Sequence, residues 1–256
     1  MRGLLSFLYG VAAYATGLAT LTYFVGFSGN LLVPRSVDVG PGAPWAQALL
    51  ADLLLIALFG VQHSVMARRG FKQWCSRFVP PAVERSTFML ASCAALLLMF
   101  RFWTPIAAPV VWQVDDRIGA ALLWSLFGCG WLLLLASTFQ IDHFELFGLR
   151  QVFSRLTQRP QPEPRFRTPL LYRFTRHPLY LGFLITFWCV PVMTAGRLLF
   201  ALGFSLYILI GIAFEERDLV RQYGERYRTY RRQVGMLVPR RPARGGKASR
   251  STTELG

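Results

Sequence analysis

Residues 179–214 read LYLGFLITFWCVPVMTAGRLLFALGFSLYILIGIAF, 36 positions with Arg197 as the sole charge. As one helix this run would reach about 54 Å at ~1.5 Å per residue, against a hydrocarbon core of ~30 Å. That is too long for a single crossing. Pro191, Gly196 and Arg197 fall at its middle, where a turn is expected. The reading is a helical hairpin, 179–193 and 198–214, whose short first arm demands tilting or local thinning of the bilayer.

Four more apolar runs precede the hairpin. Gly3–Phe27 carries no charge, and no clean cleavage site follows it, so it reads as a retained span rather than a signal peptide. Trp45–Met66 is interrupted by Asp52, Ser86–Phe100 extends past Arg101 to Trp103, and Ile118–Phe139 is unbroken. The fold class is therefore an all-α polytopic membrane bundle of about six transmembrane segments. Residues 1–239 form a single domain. The Gly-, Ser- and Arg-rich residues 240–256 read as a disordered basic tail.

Composition agrees with this class. Hydrophobic residues make up 54% of the 256 and charged residues 16%, yet the net charge is +15. Soluble domains carry roughly 25% charge, and a nucleic-acid binder would be charged throughout. Here 24 of the 28 basic residues fall in four places: Arg2, the loop 67–85, the loop 140–176 and the tail after 214. Six crossings place all four on one side, which the positive-inside rule makes the cytoplasm. The expected location is a bacterial inner membrane with both termini cytoplasmic. Five crossings would put the basic tail on the opposite side.

The same topology gathers chemistry at that face. His63 ends the second span, His143 follows the fourth and His177 precedes the fifth. Arg85 starts the third span, Arg176 precedes the fifth, and Glu215 and Glu216 end the sixth. Singly, such groups are often interfacial anchors. Together they point to a polar site opening to the cytoplasm. Asp52 lies ~16 Å higher on its helix, away from that site, and is expected to pair with a hydroxyl or with Arg101. After Glu216, the positions Leu219, Tyr223, Tyr227, Tyr230 and Val234 recur every three or four residues among arginines. This is an amphipathic helix for the lipid interface, and a candidate lid. Cys75, Cys93, Cys129 and Cys189 are isolated, so no metal knuckle or redox pair is expected.

Arg176-His177-Pro178-Leu179-Tyr180-Leu181-Gly182, a hairpin, then Glu215-Glu216-Arg217-Asp218-Leu219 and Tyr223-Gly224-Glu225-Arg226-Tyr227 resembles the C-terminal half of integral-membrane methyltransferases. These include the isoprenylcysteine carboxyl methyltransferases and phospholipid methyltransferases. Gln62-His63-Ser64-Val65-Met66-Ala67-Arg68, Glu84-Arg85-Ser86-Thr87 and Asp142-His143-Phe144-Glu145-Leu146-Phe147-Gly148 are similar to a narrower branch, the bacterial methanethiol S-methyltransferases.

The resemblance implies methyl transfer from S-adenosyl-L-methionine to methanethiol, giving dimethyl sulfide. It implies a cofactor-binding part over about 140–239, with contacts from Arg176, His177, Pro178, Tyr180, Gly182, Glu215 and Glu216. The residue types suit the ligand. Carboxylates accept from its ammonium and ribose hydroxyls, while Arg176 and a helix start meet its carboxylate. Pro178 fits a first helical turn, and Gly182 would let the cofactor approach the backbone. An alkanethiol is mostly protonated at neutral pH, so a proton acceptor is needed. From placement, His143 is the first candidate and His63 the second, with Asp142 or Glu145 orienting the imidazole and Arg85 stabilising the thiolate. Two other readings stand beside this one. A lipid or isoprenylated carboxylate as substrate would need a lateral opening between spans. A non-catalytic membrane protein retaining the fold would be favoured by loss of His177 or of either carboxylate, all of which are present.

Overall fold

The computed structural model describes residues 2–160 and 166–238, so the basic tail expected over 240–256 lies outside the described residues. The described helices are α1 (Arg2–Gly29), α2 (Trp45–Ala67), α3 (Arg69–Cys75), α4 (Pro81–Phe102), α5 (Arg117–Ile141), α6 (His143–Leu146), α7 (Leu149–Thr157), α8 (Pro178–Trp188), α9 (Ala195–Tyr223) and α10 (Glu225–Gln233). A 3-10 turn covers Leu170–Arg173, and two short strands, β1 (Val110–Gln113) and β2 (Val192–Thr194), pair antiparallel.

Among the described residues five helices, α1, α2, α4, α5 and α9, are long and apolar enough to cross a membrane. Their leucines mostly point outward: Leu5, Leu50, Leu54, Leu122 and Leu132 are all exposed. That suits a chain whose solvent is hydrocarbon, where helices associate by close packing rather than by fleeing water. The interior is aromatic. Phe24, Phe27, Phe100, Phe187, Phe200 and Phe204 form one cluster, with ring centroids 4.8 Å apart for Phe27–Phe100 and 4.6 Å for Phe200–Phe204. Helix starts follow local chemistry. Asp116 caps α5 by accepting the Gly119 N–H at 2.6 Å, Thr194 caps α9 by accepting the Arg197 N–H at 3.1 Å, and Pro178 opens α8.

The 179–214 hairpin exists, but its first arm is not all helix. Helix α8 has eleven residues, about 16 Å of rise. It ends at Trp188 because Pro191 lacks an N–H and disfavours helical backbone at the residue before it. The chain then runs extended into β2. There β1 supplies the backbone partners (Val110 opposite Thr194, Gln113 opposite Val192), and the Trp112 indole donates to the Val190 carbonyl at 3.1 Å. Extended backbone is thereby satisfied without a helix. This arm starts beside Glu216, passes Ser205, to which the Trp188 indole donates at 2.9 Å, and ends where α9 begins. It covers the length that α9 spans in 21 residues, about 31 Å. Six passages result among the described residues, one of them a helix of eleven residues continued by extended chain that ends in a three-residue strand.

Close packing fixes α8 on α5. A Cβ built on Gly182 would lie 2.6 Å from the Gly130 carbonyl and 2.9 Å from the Leu134 nitrogen, so both helices need glycine where they touch. At the end bearing β1 and β2, Arg197 is buried rather than exposed in a turn. Its Nη2 and Nε donate to Asp38 Oδ2 at 2.6 and 2.9 Å, and its Nη1 donates to the Ser28 carbonyl at 2.6 Å. Asp52 lies toward this end, as expected, but its partner is neither a hydroxyl nor Arg101. Its Oδ1 accepts the Thr104 backbone N–H at 2.9 Å, because α4 ends there and leaves that donor free.

The basic segments meet at the other end. Arg68 of the 67–85 loop lies 4.0 Å from Asp218 and 3.8 Å over the Phe214 ring, and Arg85 donates to the Leu146 carbonyl at 2.9 Å. The amphipathic segment after Glu216 is not a separate helix from its start. α9 runs unbroken to Tyr223, and the break comes at Gly224, whose φ of +57° is a conformation open to glycine.

Candidate active site

Helix α9 carries Glu215 and Glu216 in its last turns, and consecutive helical residues point ~100° apart. Glu216 turns inward and is buried. Its Oε1 accepts from Arg176 Nε at 2.7 Å and from His177 Nε2 at 3.3 Å, while Arg231 Nε lies 3.6 Å from its Oε2. Glu215 remains half-exposed. Its Oε2 accepts the Tyr180 hydroxyl at 2.9 Å and stands 3.9 Å from His177 Nδ1. The His177 imidazole therefore sits between two carboxylates, one facing each ring nitrogen.

A C-terminal strap closes this cluster. Beyond α10, residues 234–236 run beside 175–177 as a parallel bridge. The backbone N–H groups of Arg176 and His177 donate to the Gly235 and Met236 carbonyls at 2.9 and 3.2 Å, and the Thr175 hydroxyl donates to Met236 at 2.8 Å. The Arg176 guanidinium also donates to the Val234 and Arg231 carbonyls at 2.6 and 3.0 Å. The Tyr230 hydroxyl donates to the Tyr172 carbonyl at 2.6 Å. Burial, reinforced by Glu215 at Tyr172 and by Glu216 and Glu215 at Tyr227, pushes both hydroxyls up; burial also pushes Tyr230 up, to about 12. All three stay neutral donors at physiological pH. Tyr227 is fully buried, and its hydroxyl has no partner among the described residues.

The five polar residues read as one set, Arg176, His177, Tyr180, Glu215 and Glu216, are thus in mutual contact. Pro178 opens α8 immediately beside them. Gly182 has a different role from the one expected. Its bare face meets the α5 backbone, not open space, so its missing Cβ serves helix packing.

The other candidates lie in two separate places. His143 is 4% exposed and stacked on Phe139, centroids 4.2 Å apart and planes 5° apart. Its Nδ1 meets the Thr138 hydroxyl at 2.9 Å and its Nε2 the Tyr14 hydroxyl at 2.9 Å. Burial lowers its pKa, partly offset by Asp142. These hydroxyls orient the ring, rather than Asp142 or Glu145. Asp142 instead caps α6, accepting the Glu145 N–H at 3.0 Å, and pairs with Arg150. Arg85 ties α4 to the α6–α7 turn through Leu146.

His63 lies against Phe59, Phe88 and Tyr207, with Nδ1 3.0 Å from the Ser92 hydroxyl. Tyr207 stands two turns before Glu215 on α9, so His63 borders the carboxylate cluster through that ring. Tyr207 was missed in the sequence, although its spacing of eight from Glu215 puts both on one helix face. Arg231 and Tyr172 were missed because only the fold of the strap brings them close.

Comparison with known proteins shows the family. Residues 53–240 match the family model described as NnrU protein. The chain is 50% identical over 239 residues to a methanethiol S-methyltransferase of Mycobacterium tuberculosis, covering 93% of this chain and 98% of that one. It is 52% identical over 232 residues to a methanethiol S-methyltransferase of Pseudomonas deceptionensis, covering 91% and 88%. A more distant likeness, 34% over 181 residues, joins it to nurim of Mus musculus, covering 67% and 68%. No solved structure matches the chain. A helical membrane bundle with this span and these near full-length likenesses belongs to the NnrU family and groups with the methanethiol S-methyltransferases.

Proposed function

We propose that the chain is a thiol S-methyltransferase that uses S-adenosyl-L-methionine to methylate methanethiol, giving dimethyl sulfide, at a site on the cytoplasmic edge of the bacterial inner membrane. The observation that carries the proposal is the carboxylate pair around His177, in a chain half-identical to methanethiol S-methyltransferases over nearly their full length. The cytoplasmic side rests on the basic loops gathered at that end.

The residues present fit the cofactor. The buried Tyr227 hydroxyl, beside Glu216 and Arg176, lacks a partner among the described residues, which suits a polar ligand completing the cluster. Half-exposed Glu215 offers acceptors to an ammonium or to hydroxyls, and Arg231, itself half-exposed, offers a cation to a carboxylate. When bound, the cofactor supplies an electrophilic methyl on a sulfonium.

The chain's residues do the rest. Glu216 locks Arg176 and His177 at the mouth of α8, and the strap holds their backbone. Tyr180 orients Glu215. Gly182 seats α8 on α5 so that this mouth keeps its position. Asp142 and Arg85 position the α6–α7 turn. A half-buried histidine at the same edge takes the thiol proton, and the aromatic interior excludes water around a small apolar substrate.

The test is direct. Purified protein with methyl-labelled S-adenosyl-L-methionine is offered methanethiol, hydrogen sulfide, longer thiols and a farnesylated cysteine. Label in headspace dimethyl sulfide supports the proposal. Transfer only to the farnesylated cysteine points to carboxyl methylation instead. No transfer and no cofactor binding mean a non-catalytic protein.

A further inference from the structure

Resting on the methyl-transfer reading, we infer that His63 accepts the thiol proton, through Nε2, and that His143 is a positioning residue that clasps α1 to α5. Hydroxyl bookkeeping separates the two rings. A serine or threonine hydroxyl has one hydrogen to give. The Ser92 hydroxyl gives its hydrogen to the Phe88 carbonyl at 2.9 Å, so toward His63 Nδ1, at 3.0 Å, it can only accept. His63 therefore carries its proton on Nδ1 and a lone pair on Nε2. That lone pair has no protein partner among the described residues, and the residue is not fully buried.

His143 obeys the same rule with the opposite result. The Thr138 hydroxyl gives its hydrogen to the Leu135 carbonyl at 2.7 Å, which fixes the proton on His143 Nδ1. Its Nε2 lone pair is then taken by the Tyr14 hydroxyl at 2.9 Å. The ring is also enclosed by Phe139, Phe144 and Phe147. It has no lone pair left for a substrate, and its contacts are to α1, α5 and the α6–α7 region.

The surroundings of His63 suit the role. Phe59 from its own helix, Phe88 from α4 and Tyr207 from α9 wall the ring. The charged and titratable groups nearest it from packed helices are Arg85, whose guanidinium lies 5.5 Å over the same Phe88 ring that His63 packs on, and Tyr207. By ordinary values neither changes charge between pH 5 and 8. A fixed cation on that side favours a thiolate over a neutral thiol. In the step, a sulfur lone pair of the thiol attacks the methyl carbon as the S–H proton passes to His63 Nε2. The carbon–sulfonium bond breaks, its electron pair stays on the departing sulfur, and the imidazolium returns the proton to water.

Asparagine at 63 places an amide N–H where Nδ1–H was, keeps Ser92 satisfied and removes the Nε2 acceptor. His63→Asn should bind S-adenosyl-L-methionine within about threefold of wild type and lose about 10²–10⁴-fold in turnover at pH 7. Its residual rate should rise about tenfold per pH unit, since it then depends on free thiolate. His143→Asn should lower turnover without changing the pH profile. Nitrogen-15 spectra of the histidine-labelled wild type, without cofactor, should show His63 protonated at Nδ1 and bare at Nε2, with that preference lost in Ser92→Ala. An active wild type whose His63→Asn variant keeps its rate and pH profile overturns the inference. So does an Nε2–H tautomer at His63. A wild type that makes no dimethyl sulfide sinks the methyl-transfer reading and this inference with it.

Discussion

Adjacent glutamates on one helix should separate cleanly when each is made neutral. Glu216→Gln removes the charge facing a guanidinium that is 11% exposed, with His177 at 3.3 Å and Arg231 at 3.6 Å. Breaking one side of a buried ion pair costs about 3–5 kcal/mol. The figure here is lower, about 2 kcal/mol, because Arg176 keeps two backbone carbonyl acceptors, Val234 and Arg231, and glutamine can still accept from Nε. Glu215→Gln removes a carboxylate that is 44% exposed and keeps an acceptor for Tyr180. Its cost to stability should fall in the range for exposed pairs, below about 1 kcal/mol. Cofactor affinity should drop in both, directly in Glu215→Gln, whose carboxylate faces the ligand, and indirectly in Glu216→Gln, where Arg176 and His177 lose their anchor. Unfolding in nanodiscs followed by circular dichroism reads stability, and titration calorimetry with S-adenosyl-L-methionine reads affinity. Equal destabilisation by the two changes would refute the assignment of Glu216 as the inward lock and Glu215 as the ligand-facing group. Unchanged affinity in both would mean that the carboxylates do not meet the cofactor at all.

Gly182→Ala should act at a distance from the charges it disturbs. A Cβ 2.6 Å from the Gly130 carbonyl forces α8 off α5, at about 1–3 kcal/mol, and should weaken cofactor affinity together with stability; a melting curve and affinity equal to wild type would show that the two helices are not in contact there. Acid should destabilise the protein through His143. Its folded pKa lies below the ordinary ~6.5, so the unfolded chain binds more protons as pH falls below that value, and stability present above it is lost toward the folded pKa. His143→Asn should flatten that limb of a stability–pH curve, whereas an unchanged slope would place the acid sensitivity elsewhere.

Much of the fold was legible because hydropathy is a local property. Runs of about 20 apolar residues cannot be hidden by tertiary contacts, and charge asymmetry is additive along the chain, so the spans and their common basic end followed from counting. The mixed first arm was not legible. Pro191 announces a break, but whether the chain then turns or crosses as a strand depends on β1, which lies about 80 residues earlier in the sequence and supplies the missing backbone partners. The Asp38–Arg197 staple was hidden for the same reason: Asp38 sits in an unremarkable loop 159 residues away.

The candidate site divides along the same line. Arg176, His177, Glu215 and Glu216 could be named from sequence because a hairpin brings the start of one arm and the end of the other to the same membrane edge, whereas Tyr180 came from the resemblance alone. Helix geometry and bilayer thickness alone force that meeting. What the sequence could not say is what each ring nitrogen touches. His63 and His143 have the same local look, a histidine closing an apolar run. Only the packed helices give one a serine that leaves Nε2 bare, and the other a threonine and a tyrosine that use both nitrogens. Gly182 likewise reads as room for a ligand until α5 is seen to fill it. Hydropathy and periodicity determine which residues reach the membrane edge. Hydrogen-bond partners drawn from distant segments decide which of them is left with a free lone pair.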